Sequence, residues 1–303
     1  MTDVGLTTDT HAPGPSLRGG PGRRASRFLH AHRSARLGLT LTPALSWLLI
    51  VYIGSLAALL ITSLYTTNPL TTAVVKDVSL DNFRDLLEND VYRTVTFRTI
   101  GVAAAVTIID VIIAIPSAFF IAKVVRPSFR KALVVGVLLP LWASYLVKAY
   151  AWRALLDPVG GVMEKSFGWS PGYGLTATII VLAYLWLPYM VLPIYAGLDR
   201  LPDSLLEASG DLGAKGFRTF RSVVMPVIWP AVAAGSVFTF SLSMGDYIAV
   251  GLVGGTTQML GNTIRNFFGV PNLPFAAALA VIPVIAMIFY LLAIRRTGAL
   301  ESL

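Results

Sequence analysis

The sequence predicts an all-α polytopic membrane protein with six transmembrane helices, and three observations support this fold class. Hydrophobic residues make up 55% of the 303-residue chain, and its mean hydropathy is +0.70. Charged residues account for only 13%, whereas water-soluble domains usually carry about 25%. The chain also contains repeated apolar runs of roughly 20 residues, the length that a helix needs to cross a bilayer. These features exclude an ordinary soluble enzyme.

Six apolar runs are long enough to be spans. In chain order, the predicted spans are Leu39–Leu64, Thr99–Ala122, Ala132–Ala151, Leu175–Gly197, Val227–Val253 and Phe275–Ile294. The third is the weakest of the six, because Lys148 lies close to its end. We therefore expect a six-span domain over residues 39–296, with a short cytoplasmic C-terminus at 297–303.

The charge distribution predicts that both termini are cytoplasmic. Residues 1–38 are rich in Gly, Pro, Ser and Thr and contain six Arg, a composition that predicts a disordered basic tail. With this tail inside, 16 of the 24 Lys and Arg residues fall on the cytoplasmic side, as the positive-inside rule requires. Basic cytoplasmic loops thus explain the net charge of +8 without nucleic acid.

Several kinds of catalytic and metal chemistry lack the residues they need. The chain has no Cys, and its three His residues all precede the first apolar run, so thiol catalysis and a buried His centre are excluded. Residues 210–216 are rich in Gly but lack the Gly-Lys-Ser/Thr ending of a phosphate loop. We therefore predict no catalytic site, no metal site and no nucleotide site in this chain, which makes it a non-enzyme.

The segment 198–226, between the fourth and fifth spans, has the pattern of two short helices. Pro202 and Asp203 suit the first turn of a helix, and Gly213 suits the left-handed residue that ends one. In the second helix, Phe217, Phe220 and Val224 are predicted to share one face. A pair of helices outside the membrane is suited to docking a soluble partner.

This segment resembles the cytoplasmic coupling loop of ATP-binding-cassette importer permeases. That loop has the pattern E-A-A, three residues, G, nine residues, I-x-L-P. The matching residues here are Glu207, Ala208, Ser209, Gly213 and, nine residues later, Val223 to Pro226. Ser in the third place and Val-Val-Met before the proline are departures, but the spacing is intact. The resemblance implies that Glu207, Ala208, Ser209, Gly213 and Pro226 couple the chain to an ATPase.

Two further segments are similar to spermidine and putrescine permeases of the same family. They are Pro140–Trp152, and Gly245-Asp246-Tyr247 with Gly254-Gly255 and Leu260–Ile264 beyond it. The resemblance, over about residues 40–296, implies a type I importer permease fold in a bacterial cytoplasmic membrane. It also implies a second six-span permease subunit, two ATPase subunits that bind ATP and Mg²⁺, and an extracytoplasmic binding protein that delivers a polyamine.

A small set of residues in the spans is suited to a cationic cargo. Asp110 is predicted near mid-membrane, either as a binding or gating acid or as a structural residue, because a carboxylate there is costly. Asp246 and Tyr247 are predicted near the outer face, either on the translocation path or with Asp246 as an interfacial acid paired with Lys148 or another base. The rings of Trp186 and Tyr145 are candidates to line the path.

Other functions remain open at this point. Permeases for iron, thiamine or opines share parts of the polyamine-type segments. An ion-coupled secondary carrier would use Asp110 as its coupling residue, although a carrier has no need of a coupling loop. An intramembrane enzyme is disfavoured by the missing nucleophile and metal-ligand motifs.

Overall fold

The computed structural model describes residues 33–68, 70–267 and 272–298. Most of the predicted N-terminal tail, residues 1–32, and the last five residues lie outside the described residues. The chain divides into two compact units, residues 1–58 and residues 59–303. All the candidate functional residues belong to the second unit.

The described chain is almost entirely helical. Its one sheet among the described residues is an antiparallel pair, β1 (Thr66–Thr67) and β2 (Val74–Val75). The helices are α1 (Arg33–Ser63), α2 (Asp81–Glu88), α3 (Asp90–Phe119), α4 (Pro127–Trp142), α5 (Tyr145–Leu155), α6 (Val162–Phe167), α7 (Leu175–Asp199), α8 (Asp203–Asp211), α9 (Gly216–Thr219), α10 (Met225–Gly245), α11 (Ile248–Val253), α12 (Leu260–Phe267) and α13 (Leu273–Arg295). Two π-helical segments, Phe120–Val124 and Phe220–Val224, continue α3 and precede α10.

Five helical segments are long and apolar enough to cross a membrane, or six when one bent pair counts as a single span. They lie at Leu41–Ser63, Asp90–Val124, Leu175–Asp199, Gly216–Gly245 and Leu273–Arg295. The second therefore begins at Asp90, earlier than the predicted Thr99. The side chain of Asn89 caps this helix by accepting a hydrogen bond from the backbone N–H of Val91, so the helix starts where its capping residue lies.

The third predicted span is a bent pair of helices. Helices α4 and α5 meet at an angle of 91°. Between them Ala143 and Ser144 adopt extended backbone geometry, with ψ of 140° and 134°. Lys148, which made this span uncertain, lies in α5 after the bend. The apolar run that predicted one continuous third span therefore contains a break between two helices.

The core of the second unit is built around α7, which packs against both α3 and α10. Its buried residues include Val181, Leu185 and Ile194. The contact with α10 is close at Gly235, where an added Cβ would lie 2.8 Å from the sulfur of Met190 and 3.2 Å from Cγ of Pro193. Such spacing is what close packing of membrane helices through small residues produces.

Helix α2 lies in the chain between the β1–β2 pair and α3. Its Leu86 is buried, and it packs against α3 and α13. Asn82 fixes the helix in place, because its side-chain amide donates to the backbone carbonyls of Ser63 and Tyr65 at 2.9 and 2.8 Å. This part of the chain is therefore a packed surface layer.

Candidate functional site

The predicted coupling loop forms two short helices, α8 and α9, joined by a tight turn. Helix α8 begins as predicted at its acidic first turn, with Pro202 as the N-cap residue and Asp203 following it. Proline suits this position because its missing N–H removes a donor that a helix start leaves unpaired. The carboxylate of Asp203 lies near the positive end of the helix dipole.

Gly213 adopts the left-handed conformation that the sequence predicted, with φ of +78°. Its backbone N–H donates to the carbonyl of Gly210 at 2.8 Å, and the N–H of Ala214 donates to the carbonyl of Ser209 at 3.0 Å. These bonds satisfy carbonyls at the end of α8 and turn the chain toward α9. A side chain at this φ is strained, which explains why glycine stands here.

The E-A-S residues occupy one exposed turn of α8. Glu207 and Ala208 are exposed, whereas Ser209 is half-buried. The hydroxyl of Ser209 lies 2.9 Å from that of Thr219, in α9. This hydrogen bond joins the two helices of the loop. Sequence reasoning missed Thr219, because nothing in its local pattern distinguishes it from other surface threonines.

The loop that carries Glu207 also exposes large apolar side chains. Leu212 is 89% exposed, Phe217 is 77% exposed and Leu205 is 46% exposed. The expectation that Phe217 shares a face with Val224 is wrong, because Val224 is 1% exposed; the π-helical geometry of 220–224 shifts the helix face between the two residues. Several large apolar residues exposed within one short loop are typical of a protein-docking surface.

A lysine whose side chain is 10% exposed anchors the start of the coupling loop. Nζ of Lys123 donates to the carbonyl of Leu201 at 2.6 Å and to Oδ1 of Asp203 at 2.7 Å. The hydrogen bond from Lys123, together with its charge, holds the pKa of Asp203 below its usual range. The sequence marked Lys123 only as a cytoplasmic positive charge, so this contact was not predicted.

The second predicted site lies where the fifth span is interrupted. The expectation of one helix from Val227 to Val253 is wrong at its upper end: α10 ends at Gly245, and Asp246 is extended, with ψ of 123°. The chain then resumes as α11 at Ile248. Asp246 therefore lies in a break between two helices rather than inside one, beside the carbonyl end of α10.

Asp246 is 7% exposed and is held by hydrogen bonds. The hydroxyl of Tyr145 donates to its Oδ2, and the backbone N–H of Ala249 donates to its Oδ1 at 2.9 Å. The same N–H lies 3.2 Å from the Tyr145 oxygen. Among the described residues Asp246 has no ion pair, so the alternative pairing with Lys148 is not found.

Aromatic rings line the space in front of Asp246. The rings of Tyr145 and Trp186 stack with centroids 6.0 Å apart, and Tyr189 lies 5.9 Å beyond Trp186. A cavity of about 320 Å³ opens here. It is lined by Tyr145, Trp186, Ser241, Leu242, Gly245, Asp246, Tyr247 and Ile248. Four of the five predicted path residues thus meet in one place, which we call the Asp246 cavity.

Tyr247 forms the side of this cavity that faces α12. It is 41% exposed, and the guanidinium of Arg265 lies 5.6 Å from the centroid of its ring. The ring therefore already accepts a cation in a cation–π contact. Arg265 was not singled out from the sequence, because its α12 segment gave no signal of proximity to Tyr247.

Asp110 lies apart from the other predicted path residues. It is 0% exposed in α3, and neither of its carboxylate oxygens has a hydrogen-bond partner among the described residues. It is not among the residues that line the Asp246 cavity. The structure therefore confirms its burial in the bundle but does not bring it together with Asp246. Within the described residues, no group of three His, Cys, Asp or Glu has the arrangement of a metal site.

Comparison with known proteins identifies the family. Residues 96–297 match the family described as "Binding-protein-dependent transport system inner membrane component". The inner membrane ABC transporter permease protein YdcU of Escherichia coli is 39% identical over 94% of this chain and 97% of its own length. The spermidine/putrescine transport system permease protein PotB of Haemophilus influenzae is 32% identical, covering 67% of this chain and 74% of that protein.

Solved structures agree on the fold. A chain of a bacterial alginate ABC transporter superposes with a TM-score of 0.72 at 17% identity, covering 91% of this chain and 97% of the other. A chain of the MetNI methionine ABC transporter gives a TM-score of 0.56, also at 17% identity, with 67% and 93% covered. The fold is that of a type I importer permease. The chain belongs to the binding-protein-dependent transport system inner membrane components, and it is a multi-pass, non-enzymatic permease subunit of an ABC importer.

Proposed function

We propose that the chain forms half of the translocation path for a polyamine such as spermidine or putrescine. The observation that carries this proposal is the Asp246 cavity. It combines a buried carboxylate with the rings of Tyr145, Trp186 and Tyr247. The PotB relatives, which are spermidine/putrescine permeases, support the same class of cargo.

The chemistry of the cavity suits a linear organic cation. A carboxylate compensates an ammonium charge that would otherwise be costly in an apolar layer. Ring faces attract ammonium groups and also contact the methylene chain between them. The carbonyl end of α10, at Gly245, adds partial negative charge at the same place. An anionic solute would be repelled by the same carboxylate.

Transport by this subunit requires partner proteins of the kinds that the family uses, an ATPase and a substrate-binding protein. We infer that the full complex contains a second six-span permease subunit and two ATPase subunits, and that ATP and Mg²⁺ bind to those ATPases. We also infer that both termini are cytoplasmic. The binding protein would then deliver cargo to the face of the membrane nearer the Asp246 cavity.

The surface proposed to meet the ATPase is the coupling loop. Glu207 and Ala208 lie on its exposed turn, and Leu205, Leu212 and Phe217 provide apolar area around them. A central apolar contact with a charged group beside it is the usual composition of a protein interface. Ser209, Gly213 and Pro226 shape this surface: Ser209 joins the two helices, Gly213 makes the turn, and Pro226 lies in the first turn of α10.

The proposal is tested by reconstituting the complete transporter in proteoliposomes with its binding protein outside and ATP inside. The proposal predicts ATP-dependent accumulation of labelled spermidine or putrescine, with cadaverine as a competing diamine. Thiamine, ferric iron and an opine are the matched alternative cargoes. Accumulation of one of these without polyamine uptake would contradict the cargo assignment and leave the permease assignment standing. Uptake that persists without ATP or the ATPases would indicate a secondary carrier.

A further inference from the structure

The inner end of the second span is attached to the start of the coupling loop through one buried ammonium group. The side chain of Lys123 is 10% exposed, and burial of a cation is costly unless it is paired. Both of its partners belong to the loop's entry: Leu201 precedes α8, and Asp203 is its first residue. The π-helical segment that continues α3 carries Lys123 to this position.

The same end of the span also contacts the exit of the coupling loop. The ring of Phe119, the last residue of α3, meets the ring of Phe220 edge to face at 6.5 Å. Phe220 opens the π-helical segment that leads from α9 into α10. The second span therefore contacts both ends of the coupling loop. Lys123 binds the start of the loop through a charged hydrogen bond, and Phe119 packs on Phe220 at its end.

About two and a half turns after its start at Asp90, the second span is attached to α12. The hydroxyl of Thr99, which is 0% exposed, accepts a hydrogen bond at 2.9 Å from the backbone N–H of Leu260, the first residue of α12. Arg98 donates to the carbonyl of Gln258 at 3.3 Å. The inner end of the span thus touches the coupling loop, and residues 98–99 in its outer third contact the start of α12.

The start of α12 rests directly on the break that carries Asp246. A Cβ added to Gly261 would lie 2.8 Å from the carbonyl oxygen of Asp246 and 2.9 Å from that of Gly245. Glycine at this position permits the close approach of the two backbones. A displacement of α12 relative to α10 would therefore change the walls of the Asp246 cavity.

We propose that α3 is the element that links the coupling loop to the Asp246 cavity, and that Lys123 is the positioning residue at its inner attachment. This inference rests on the proposed function, because it assumes that the loop docks an ATPase. Helix α3 runs from Asp90 to Phe119 and continues directly into the π-helical segment that carries Lys123, so one uninterrupted helical stretch joins the two attachments. A movement of the loop on the ATPase side is thereby transmitted to α12 and to the cavity.

If Lys123 had only a structural role, its substitution would change different measured quantities than if it links the coupling loop to the cavity. A structural anchor affects insertion, yield and thermal stability, whereas a link affects how ATP hydrolysis responds to the binding protein. The test therefore measures that response in assembled transporter. Coupling between the Asp246 cavity and the coupling loop is reciprocal. Binding of the loaded binding protein on the outer side should therefore change ATP hydrolysis through the same contacts of α3.

The experiment compares five variants with wild type in proteoliposomes that contain the ATPases and the binding protein loaded with spermidine. Lys123→Met removes both hydrogen bonds of the inner attachment, Asp203→Asn removes its negative charge, and Thr99→Val removes the outer hydrogen bond while keeping the side-chain shape. Lys131→Met is the matched control, because it removes an exposed positive charge in the neighbouring helix α4 that has no ion pair among the described residues. Each preparation is measured for bound ATPase, for basal hydrolysis and for stimulation by the binding protein.

The proposal predicts that Lys123→Met, Asp203→Asn and Thr99→Val retain bound ATPase and basal hydrolysis but lose stimulation by roughly five- to a hundredfold. Lys131→Met behaves as wild type. Lys123→Arg, which keeps the charge and the donors, restores part of the response. Wild-type stimulation in both Asp203→Asn and Thr99→Val overturns the proposal, even if Lys123→Met does not assemble. If the binding protein stimulates the unsubstituted transporter but no spermidine is taken up, the polyamine assignment alone is contradicted. Loss of bound ATPase in Lys123→Met contradicts the linking role.

Discussion

The hydroxyl of Tyr145 donates a hydrogen bond to the carboxylate of Asp246, across 101 residues of sequence. This bond joins two interruptions of membrane-spanning helices, the bend before Tyr145 and the break after Gly245. Irregular backbone within a membrane protein is tolerated where it is buried in protein or lines a cavity. Discontinuous helices that meet at one place are also a common way to build a binding site in transporters.

Tyr145→Phe tests whether this bond orients Asp246. The variant keeps the ring that stacks on Trp186 and removes only the donor to the carboxylate. We expect folding to be weakened by about 1–3 kcal/mol and spermidine uptake to fall further than the amount of assembled complex. Uptake per assembled transporter and the melting temperature are the measurements. Tyr150→Phe is the control, since Tyr150 lies exposed in the same helix.

Gly213→Ala tests the turn of the coupling loop. Alanine at φ of +78° is strained by roughly 1–2 kcal/mol, so we expect the loop to be distorted and ATPase binding to weaken, with normal insertion. Glu207→Ala should weaken the same interaction by removing the exposed carboxylate. Co-purification of the ATPase measures both effects.

The matched control for the turn is Gly210→Ala. Gly210 lies in α8 without a positive φ, and an added Cβ would meet nothing within 4 Å. This variant should therefore bind the ATPase as wild type does. If Gly213→Ala and Glu207→Ala both co-purify as much ATPase as Gly210→Ala, the loop is not the docking surface.

Gly235→Ala tests the close packing of α10 on α7. The added methyl group would lie 2.8 Å from the sulfur of Met190 and 3.1 Å from its Cα, and overpacking of this kind costs about 1–3 kcal/mol. We expect a lower melting temperature in detergent. Gly101→Ala in α3 has open space for its Cβ and should melt at or above the wild-type temperature. Equal melting of the two variants would show that the helices separate at Gly235 in solution.

Single cysteines test the proposed topology, because the natural chain has none. Val159 is 86% exposed between α5 and α6, and Ser128 is exposed at the start of α4. With both termini inside, an impermeant maleimide should label Val159→Cys in intact cells and Ser128→Cys only after permeabilisation. The reverse pattern would invert the topology. Asn82 and Asn272 are unsuitable positions, since their side chains make structural hydrogen bonds.

Much of the fold was predictable because membrane helices carry a strong compositional signal. Long apolar runs predicted the five long helices, and the spacing from Glu207 to Gly213 predicted both the position of the coupling-loop turn and its left-handed glycine. These features depend on residues near one another in the sequence. Each of them is determined by properties of neighbouring residues, such as the lack of a Cβ in Gly213, which permits the left-handed turn.

The bend at Ala143–Ser144 and the break at Asp246 were not predictable in the same way. Both lie in runs that stay apolar on either side, and hydropathy does not report backbone conformation. The partners of Asp246 and Lys123 also lie far away in sequence, at Tyr145, Leu201 and Asp203. Lys123 illustrates the difficulty: a basic residue at the cytoplasmic end of a span signals topology, and only the fold reveals that it is buried and paired.

The measurement that most directly tests the central claim is spermidine uptake by reconstituted transporter that carries Asp246→Asn. The substitution keeps the size of the side chain and an oxygen to accept from Ala249, and it removes the charge that would meet an ammonium group. We predict that uptake falls by at least about tenfold, as loss of roughly 1.4 kcal/mol of cation stabilisation on the path requires, with ATPase binding unchanged. Asp110→Asn, which leaves the cavity intact, should have a smaller effect. Wild-type uptake by Asp246→Asn would contradict the account, because the carboxylate would then have no role in passing the cargo.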